Sequence, residues 1–559
     1  MRRAHIHRLL LCLLSLTSGW FLPTYAANPA YPTPGIVVSE EKLASDVGLE
    51  ILKAGGNAID AAVAVGYALA VVDPCCGNIG GGGFMTIHLA NGQTIFLNFR
   101  EKASLTANKN LYTARPALPP DASTVGYLAV GVPGTVLGLD SALARYGTMT
   151  RKAVMAPAIK LAKQGFIVSP YFAQQLADSK STFQQQPNIA AIFLKNGQPY
   201  QAGERLVQTD LADTLTRIAN KGPAAFYHGF IAKTIVAASK MHGGILTMTD
   251  FTHYQVEWLK PLVCHYQSYT IYSAPPPSSG GTTLCEALGI IKNFPLAQMG
   301  RQQVASVHAI IEAMGYSFHD RNHLLGDPDY VHNPVAHLIS TNYTKMLSEK
   351  IKAHPGPLQP KTVNHTFELT DTTHYSVLDS QGNAVSVTYT LNNFFGAGRI
   401  AGNTGFFLND EMNDFTTHPG KPNKFGLVQS DKNDIQPGKR PLSSMTPTII
   451  THNNHVVLVI GSPGGPRIIS TVLLAIINYF DFHMPLQAAI NAPRYHYQAD
   501  PNIVFTEPNT FPTTLLRKLT DVGYTIESQA TWGAIAAIGI QKHQWIGVCD
   551  YRRPDCGVN

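Results

Sequence analysis

A chain of 559 residues, 45% hydrophobic and only 14% charged, has the composition of a large globular protein and excludes an intrinsically disordered one. Its net charge of +6 is spread along the chain and forms no Lys/Arg block, which argues against a nucleic-acid partner. None of the cysteine spacings resembles a zinc site, and no cofactor is expected.

The chain opens on an export signal at 1–26. Arg2, Arg3 and Arg8 form a basic n-region, Leu9 to Leu16 an apolar core, and Thr24-Tyr25-Ala26 the small residues before a cut. The apolar run is too short to span a bilayer and Pro23 interrupts its far side, so the mature chain is expected to have no membrane span and to be periplasmic or secreted. Export permits disulfides. Cys549 and Cys556 are the expected pair, whereas adjacent Cys75 and Cys76 are expected not to bridge, because so small a ring strains the peptide.

Residues 27–36 read as an extended lead-in. Ser39 is positioned to cap a helix from Glu40 to Lys53, and Asn57 to cap Ala58 to Val72, which is apolar on nearly every side and therefore a buried helix. The Gly77-Asn78-Ile79-Gly80-Gly81-Gly82-Gly83 run lacks the ending of a phosphate loop; its glycines fit a close approach of backbone to another element. Phe84 to Ala90 and Thr94 to Phe99 form a hairpin about Asn91-Gly92, with Arg100 and Glu101 at its exit. Taken locally, Arg100 is a surface charge.

Met155 to Asn293 reads mainly as helices, interrupted by the loop Pro275 to Gly281, stiff at its prolines and flexible at its glycines. Val304 to Arg321 is another amphipathic helix, with His308 and His319 as structural or surface histidines. Residues 350–370 carry three prolines and no periodicity, as an exposed segment would.

The texture then changes to short β-type runs, beginning at Asp371-Thr372-Thr373-His374. Two threonines at such a junction point to backbone cleavage, since a threonine at an N-terminus carries its own base in the free α-amine. The turn Asp379-Ser380-Gln381-Gly382 sets a register that places Thr390 opposite Thr372 and Thr388 opposite His374. Downstream, Asn409 to Asp414 is a polar cluster suited to gripping an ammonium, and 415–438 is a lid-like loop. The strand Val456 to Ile460 runs into Gly461-Ser462-Pro463-Gly464-Gly465, a turn that aims backbone N–H groups at one spot, as an oxyanion hole requires.

Thr372 to Val377, Gly382 to Val385, Thr388 to Asn392, Arg440 to Met445 and Gly461 to Gly465 together resemble the γ-glutamyltranspeptidases, and Gly55 to Glu101 is similar to that family's N-terminal region. The resemblance implies an α+β fold, the N-terminal-nucleophile αββα sandwich. It also implies a precursor that cuts itself between Asp371 and Thr372 into a large subunit (27–371) and a small one (372–559), which stay together as a heterodimer. Thr372 is then the nucleophile, oriented by Thr390, with Gly464 and Gly465 as the oxyanion hole. Arg100, Ser443 and Ser444 would hold the α-carboxylate of a γ-glutamyl substrate, and Asn392, Glu411 and Asp414 its α-ammonium. Glutathione and related γ-glutamyl amides are the implied substrates, and water or an amino acid or dipeptide the implied acceptor. Phe425 stands where some members have Tyr, which removes a hydroxyl from the lid-like loop. A glutaryl-type cephalosporin acylase of the same fold is the alternative enzyme, opposed by the acidic cluster; a non-catalytic homologue is the alternative outside enzymes.

Overall fold

Thr373–Asp379 and Ala384–Thr390 form the central hairpin in the expected register, with His374 opposite Thr388 and Thr373 opposite Tyr389. The turn is fastened by Asp379, whose carboxylate accepts from the N–H groups of Gln381 and Asn383 while Gly382 takes a positive φ of 91°. The same carboxylate accepts from Ala58 N at 2.9 Å, tying the hairpin to the start of the buried helix. This computed structural model describes residues 29–115, 117–357 and 372–559. The expected export signal, Asp371 and the residues 358–370 before it lie outside the described residues.

The hairpin sits in the middle of a seven-stranded antiparallel sheet, in the order Gly557–Val558, Gly35–Ser39, Thr373–Asp379, Ala384–Thr390, Gly82–His88, Thr94–Phe99, Glu257–Leu259. A second sheet of six strands runs Gln544–Cys549, Ala536–Gln541, His455–Ile460, Thr448–His452, Tyr269–Ser273, Leu262–Tyr266. Alternation decides which way each side chain faces. Tyr375, Val377, Val385, Val387 and Tyr389 point outward against the helices that include Ala58–Val72. Ile450, Leu458 and Ile460 point outward on the other side, against Gly280–Ile291, Val304–Leu324 and Arg467–Phe480. Between the sheets lie Ile36, Val38, Leu378, Ile449, Val459 and Ile538. Hydroxyls also cross that layer: Ser376 donates to the Ala536 carbonyl at 2.9 Å and Thr86 to that of Pro447 at 2.8 Å. The result is the expected αββα sandwich.

Asn57 caps its helix as expected, accepting from Ile59 N and Asp60 N while Asp60 accepts in return from Asn57 N. Four expectations need correction. Ser39 caps nothing: Gly35–Ser39 is a strand paired with Thr373–Asp379, not the end of a lead-in, and the helix Lys42–Lys53 is capped by Glu41. The stretch read as mainly helical contains three strands of the two large sheets: Glu257–Leu259, which pairs with Thr94–Phe99, and the hairpin of Leu262–Tyr266 and Tyr269–Ser273, which joins its sheet through Thr448–His452. Gly280 and Gly281 are not a flexible end: they start a helix, where a Cβ would stand 2.6 Å from the Met445 carbonyl and 2.3 Å from that of Ala274. Finally, Cys75 and Cys76 are bridged, as are Cys264–Cys285 and the expected Cys549–Cys556. The Cys75 and Cys76 carbonyls accept from Phe395 N and Leu391 N, so tertiary contacts fix this dipeptide in a conformation that a free peptide would avoid.

Candidate active site

Thr372 immediately precedes its strand, and Thr390 ends the neighbouring one. Register alone therefore brings the two hydroxyls together, Oγ1 to Oγ1 at 3.2 Å. Thr390 Oγ1 also accepts from Asn392 N at 2.8 Å, where the chain turns with a positive φ of 81°. Behind them passes the glycine run. A Cβ on Gly81 would lie 1.8 Å from the Thr390 carbonyl, and one on Gly83 2.4 Å from that of Thr388, so the expected close approach is real and side chains are excluded there. His374, two residues from Thr372, is fully buried between Thr388 Oγ1 and Ser376 Oγ. Burial pushes its imidazole down to about 3, so it is neutral and structural at physiological pH.

Arg100 is not on the surface. It is fully buried and pairs with Glu411, with Asp414 at 2.5 Å and with Glu101 at 3.4 Å. Burial works against its charge, but Glu411, Asp414 and Glu101 outweigh that and raise its pKa. Three carboxylates share this one guanidinium. Burial accordingly pushes Glu101 up to about 7 and Glu411 well above the ordinary range, each against the pull of Arg100. Arrival of a further cation would favour the ionised form of both.

Ser443 and Ser444 line the same cavity, in the segment whose Pro441 carbonyl accepts from Arg100 Nε. Ser443 is anchored to the proline loop, its carbonyl accepting from Ser279 N and its N–H donating to the Pro277 carbonyl. Ser444 Oγ accepts from Arg321 at 3.0 Å. Gly464 and Gly465 hold φ of 128° and 56°, conformations that favour glycine. Their carbonyls accept from Arg467 N and Ile468 N at the head of the helix Arg467–Phe480, so the Gly465 N–H, trans to the Gly464 carbonyl, points away from that helix. Thr372, Thr390, Asn392, Arg100, Glu411, Asp414, Ser443, Ser444 and Gly465 all line one cavity. Gly464 adjoins it through Gly465.

A family model described as Gamma-glutamyltranspeptidase matches residues 44–558. The chain belongs to the γ-glutamyltranspeptidase family. It is similar to the glutathione hydrolase proenzyme of Pseudomonas sp. (strain A14), at 47% identity over 93% of this chain and 93% of that one. It is also similar to the glutathione hydrolase proenzyme of Escherichia coli (strain K12), at 43% identity over 87% and 85% of the two chains. Its fold matches the crystal structure of a cephalosporin acylase from Bacillus halodurans with a TM-score of 0.84 at 27% identity, covering 98% of this chain and 99% of that one.

The expected site residues that fall among the described ones converge; Asp371 lies outside them. Three further polar residues of the cavity, Arg321, Asn423 and Gln429, escape the sequence reading. Arg321 looks like the last charge of an amphipathic helix, and no local signal marks it as buried. The lid-like loop is tied down from the Val304–Leu324 helix, with Ser430 N donating to the Asn322 carbonyl, and Gln429 Nε2 donating to that of Asp414. Phe425 lines the cavity and is buried.

Proposed function

We propose that this protein is an autoprocessed γ-glutamyltransferase and glutathione hydrolase. The observation that carries the reading is the Thr372–Thr390 hydroxyl pair facing a cavity that holds Arg100 and an excess of acid.

In the first reaction Thr372 Oγ1 attacks the Asp371 carbonyl carbon and moves the acyl group from the Thr372 nitrogen to its oxygen; water then hydrolyses that ester, which releases the large subunit (27–371) from the small subunit (372–559) and leaves Thr372 with a free amine and a free hydroxyl. That amine then accepts the Thr372 hydroxyl proton as the oxygen attacks the γ-carbonyl carbon of glutathione. Thr390 holds the attacking oxygen in line. The N–H groups of Gly464 and Gly465 receive the oxyanion. Collapse breaks the amide, the leaving amine of cysteinylglycine takes the proton, and a γ-glutamyl ester of Thr372 remains. Water, or the amine of an amino acid or dipeptide, attacks that ester in the second half.

The substrate head is a zwitterion and needs two opposite clamps. Arg100, with Ser443 and Ser444, takes the α-carboxylate; Asp414 and Glu411, with Asn392, take the α-ammonium. Family membership and the similarity to glutathione hydrolase proenzymes support this assignment, as does the negative charge around Arg100. The likeness to a cephalosporin acylase raises a second reading, cleavage of a glutaryl amide. A glutaryl group lacks the ammonium that the acidic cluster would bind, so the first reading is preferred. The apolar signal at 1–26 supports export, and among the described residues no helix is long and apolar enough to cross a membrane.

The test uses purified protein. Turnover of γ-glutamyl-p-nitroanilide but not of glutaryl-p-nitroanilide is expected, together with a small chain whose N-terminal sequence begins at Thr372. Preference for the glutaryl substrate would transfer the assignment to the acylase reading.

A further inference from the structure

Arg321 lies at the far end of the helix Val304–Leu324 and reaches the same cavity as Thr372, yet its surroundings are the reverse of those of Arg100. Its guanidinium donates to Ser279 Oγ at 3.0 Å, Asn322 Oδ1 at 2.7 Å, Gln429 Oε1 at 3.2 Å and Ser444 Oγ at 3.0 Å. Each of these partners is neutral. Among the described residues, no carboxylate is paired with Arg321, whereas Arg100 has three. Arg321 is 2% exposed, so water does not screen it. Burial brings its pKa down to about 10, which leaves it cationic at neutral pH. A buried cation hydrogen-bonded only to neutral groups is costly to keep, and the nearby Asp414 offsets that burial only in part. The cavity is therefore divided: Arg100 is paired directly with carboxyl groups, whereas the Arg321 guanidinium behind Ser444 is held by neutral partners.

The Ser444 hydroxyl sharpens the argument. A guanidinium only donates, so the hydrogen bond from Arg321 occupies a lone pair of Ser444 Oγ and leaves its proton to be given elsewhere. Among the described residues this is the one hydrogen bond that Ser444 Oγ makes. Its O–H is thus left to serve an acceptor in the cavity.

We propose that Arg321 is a positioning residue of the α-carboxylate subsite: it turns the Ser444 hydroxyl into an obligate donor toward the substrate carboxylate and supplies the net positive charge that Arg100, already matched by acids, lacks. This rests on the γ-glutamyl reading, in which Ser443 and Ser444 face that carboxylate. Arg321 also holds Gln429 of the lid-like loop, so the same cation joins the subsite to its cover.

The experiment compares processed wild type, Arg321→Met, Arg321→Lys and Ser444→Ala on γ-glutamyl-p-nitroanilide and on 4-aminobutyryl-p-nitroanilide, which lacks only the α-carboxylate. Arg321→Met is expected to raise KM for the first substrate about tenfold or more with kcat within about threefold, the scale of one charge-assisted hydrogen bond. Its kcat/KM preference for the carboxylate-bearing substrate should shrink by a similar factor, and Arg321→Lys should restore part of it. Equal losses on both substrates, or an unchanged KM, would overturn the proposal. Should Arg321→Met not process, Arg321→Gln, neutral but polar, takes its place; failure of both to process would also overturn it, by making Arg321 a folding residue. If Ser444→Ala leaves selectivity unchanged, the placement of the carboxylate itself is wrong. If Ser444→Ala loses selectivity and the Arg321 variants keep it, only the role of Arg321 falls.

Discussion

The hydroxyl oxygens of Thr372 and Thr390 stand 3.2 Å apart across two adjacent strands of the central sheet. One hydroxyl, Thr372, is proposed to cut first its own chain and then the substrate. Thr372→Ala should therefore abolish both the small subunit on a denaturing gel and hydrolysis of γ-glutamyl-p-nitroanilide, while Thr372→Ser keeps both. Normal processing of the alanine variant would refute the shared role. Thr390→Ala should slow both reactions by about tenfold or more, since it removes the group that orients the nucleophile.

Arg100 is the only cation directly paired with Glu101, Glu411 and Asp414 among the described residues. Arg100→Ala should leave processing intact and raise KM for γ-glutamyl substrates about a hundredfold, because a bidentate charge-assisted contact is lost. It should also lower thermal stability, since buried carboxylates are left unpaired, at a cost of about 3–5 kcal/mol. Steady-state kinetics and a melting curve on the same preparation check both parts. An unchanged KM would remove Arg100 from the subsite.

Gly81 tests the backbone beneath the nucleophile. A methyl group there would sit 1.8 Å from the Thr390 carbonyl, which has no flexible side chain to yield. Gly81→Ala should lower processed yield sharply and displace Thr390. Gly92→Ala is the control: it has a positive φ of 86° but open space around it, and should cost only about 1 kcal/mol. Equal behaviour of the two variants would show that strain, not space, governs the glycine run.

Two buried imidazoles should make the protein acid-labile. Burial holds both His374 and His496 down at about 3, and Arg467 adds to the effect at His496. The unfolded chain takes up these protons near pH 6.5 while the folded one refuses them. Stability is therefore full above about pH 6.5 and falls as pH drops toward 3, by about 1.4 kcal/mol per pH unit for each histidine. Denaturant unfolding at stepped pH measures this. His496→Gln should flatten the slope; an unaltered slope would mean that His496 is protonated in the fold.

Features set by neighbouring residues were legible in the sequence. Asn57 and Asp60 announce their helix because a cap acts over three residues. Asp379 to Gly382 fixes the hairpin register, and with it the Thr372–Thr390 pair, because one turn determines every partner along two strands. The motifs from Gly55 to Gly465 carried the family, and with it the αββα sandwich.

What depends on distant partners was not. Ser39 looks like a cap until its strand finds Thr373–Asp379, more than 300 residues away. Cys75 and Cys76 look unfit to bridge until Leu391 and Phe395 hold their carbonyls. Arg100 and Arg321 each look like a surface charge, and local sequence separates neither from the other. Folding buries both in one cavity and pairs Arg100 with three carboxyl groups, while the hydrogen-bond partners of Arg321 are all neutral. Local sequence set the hairpin register, and its motifs the family; the assembled fold set which buried cation meets carboxyl groups and which meets neutral partners. The reason is physical: strand register is set by the nearest turn, whereas the electrostatics of a buried site are set by whatever residues the whole chain brings within a few ångströms.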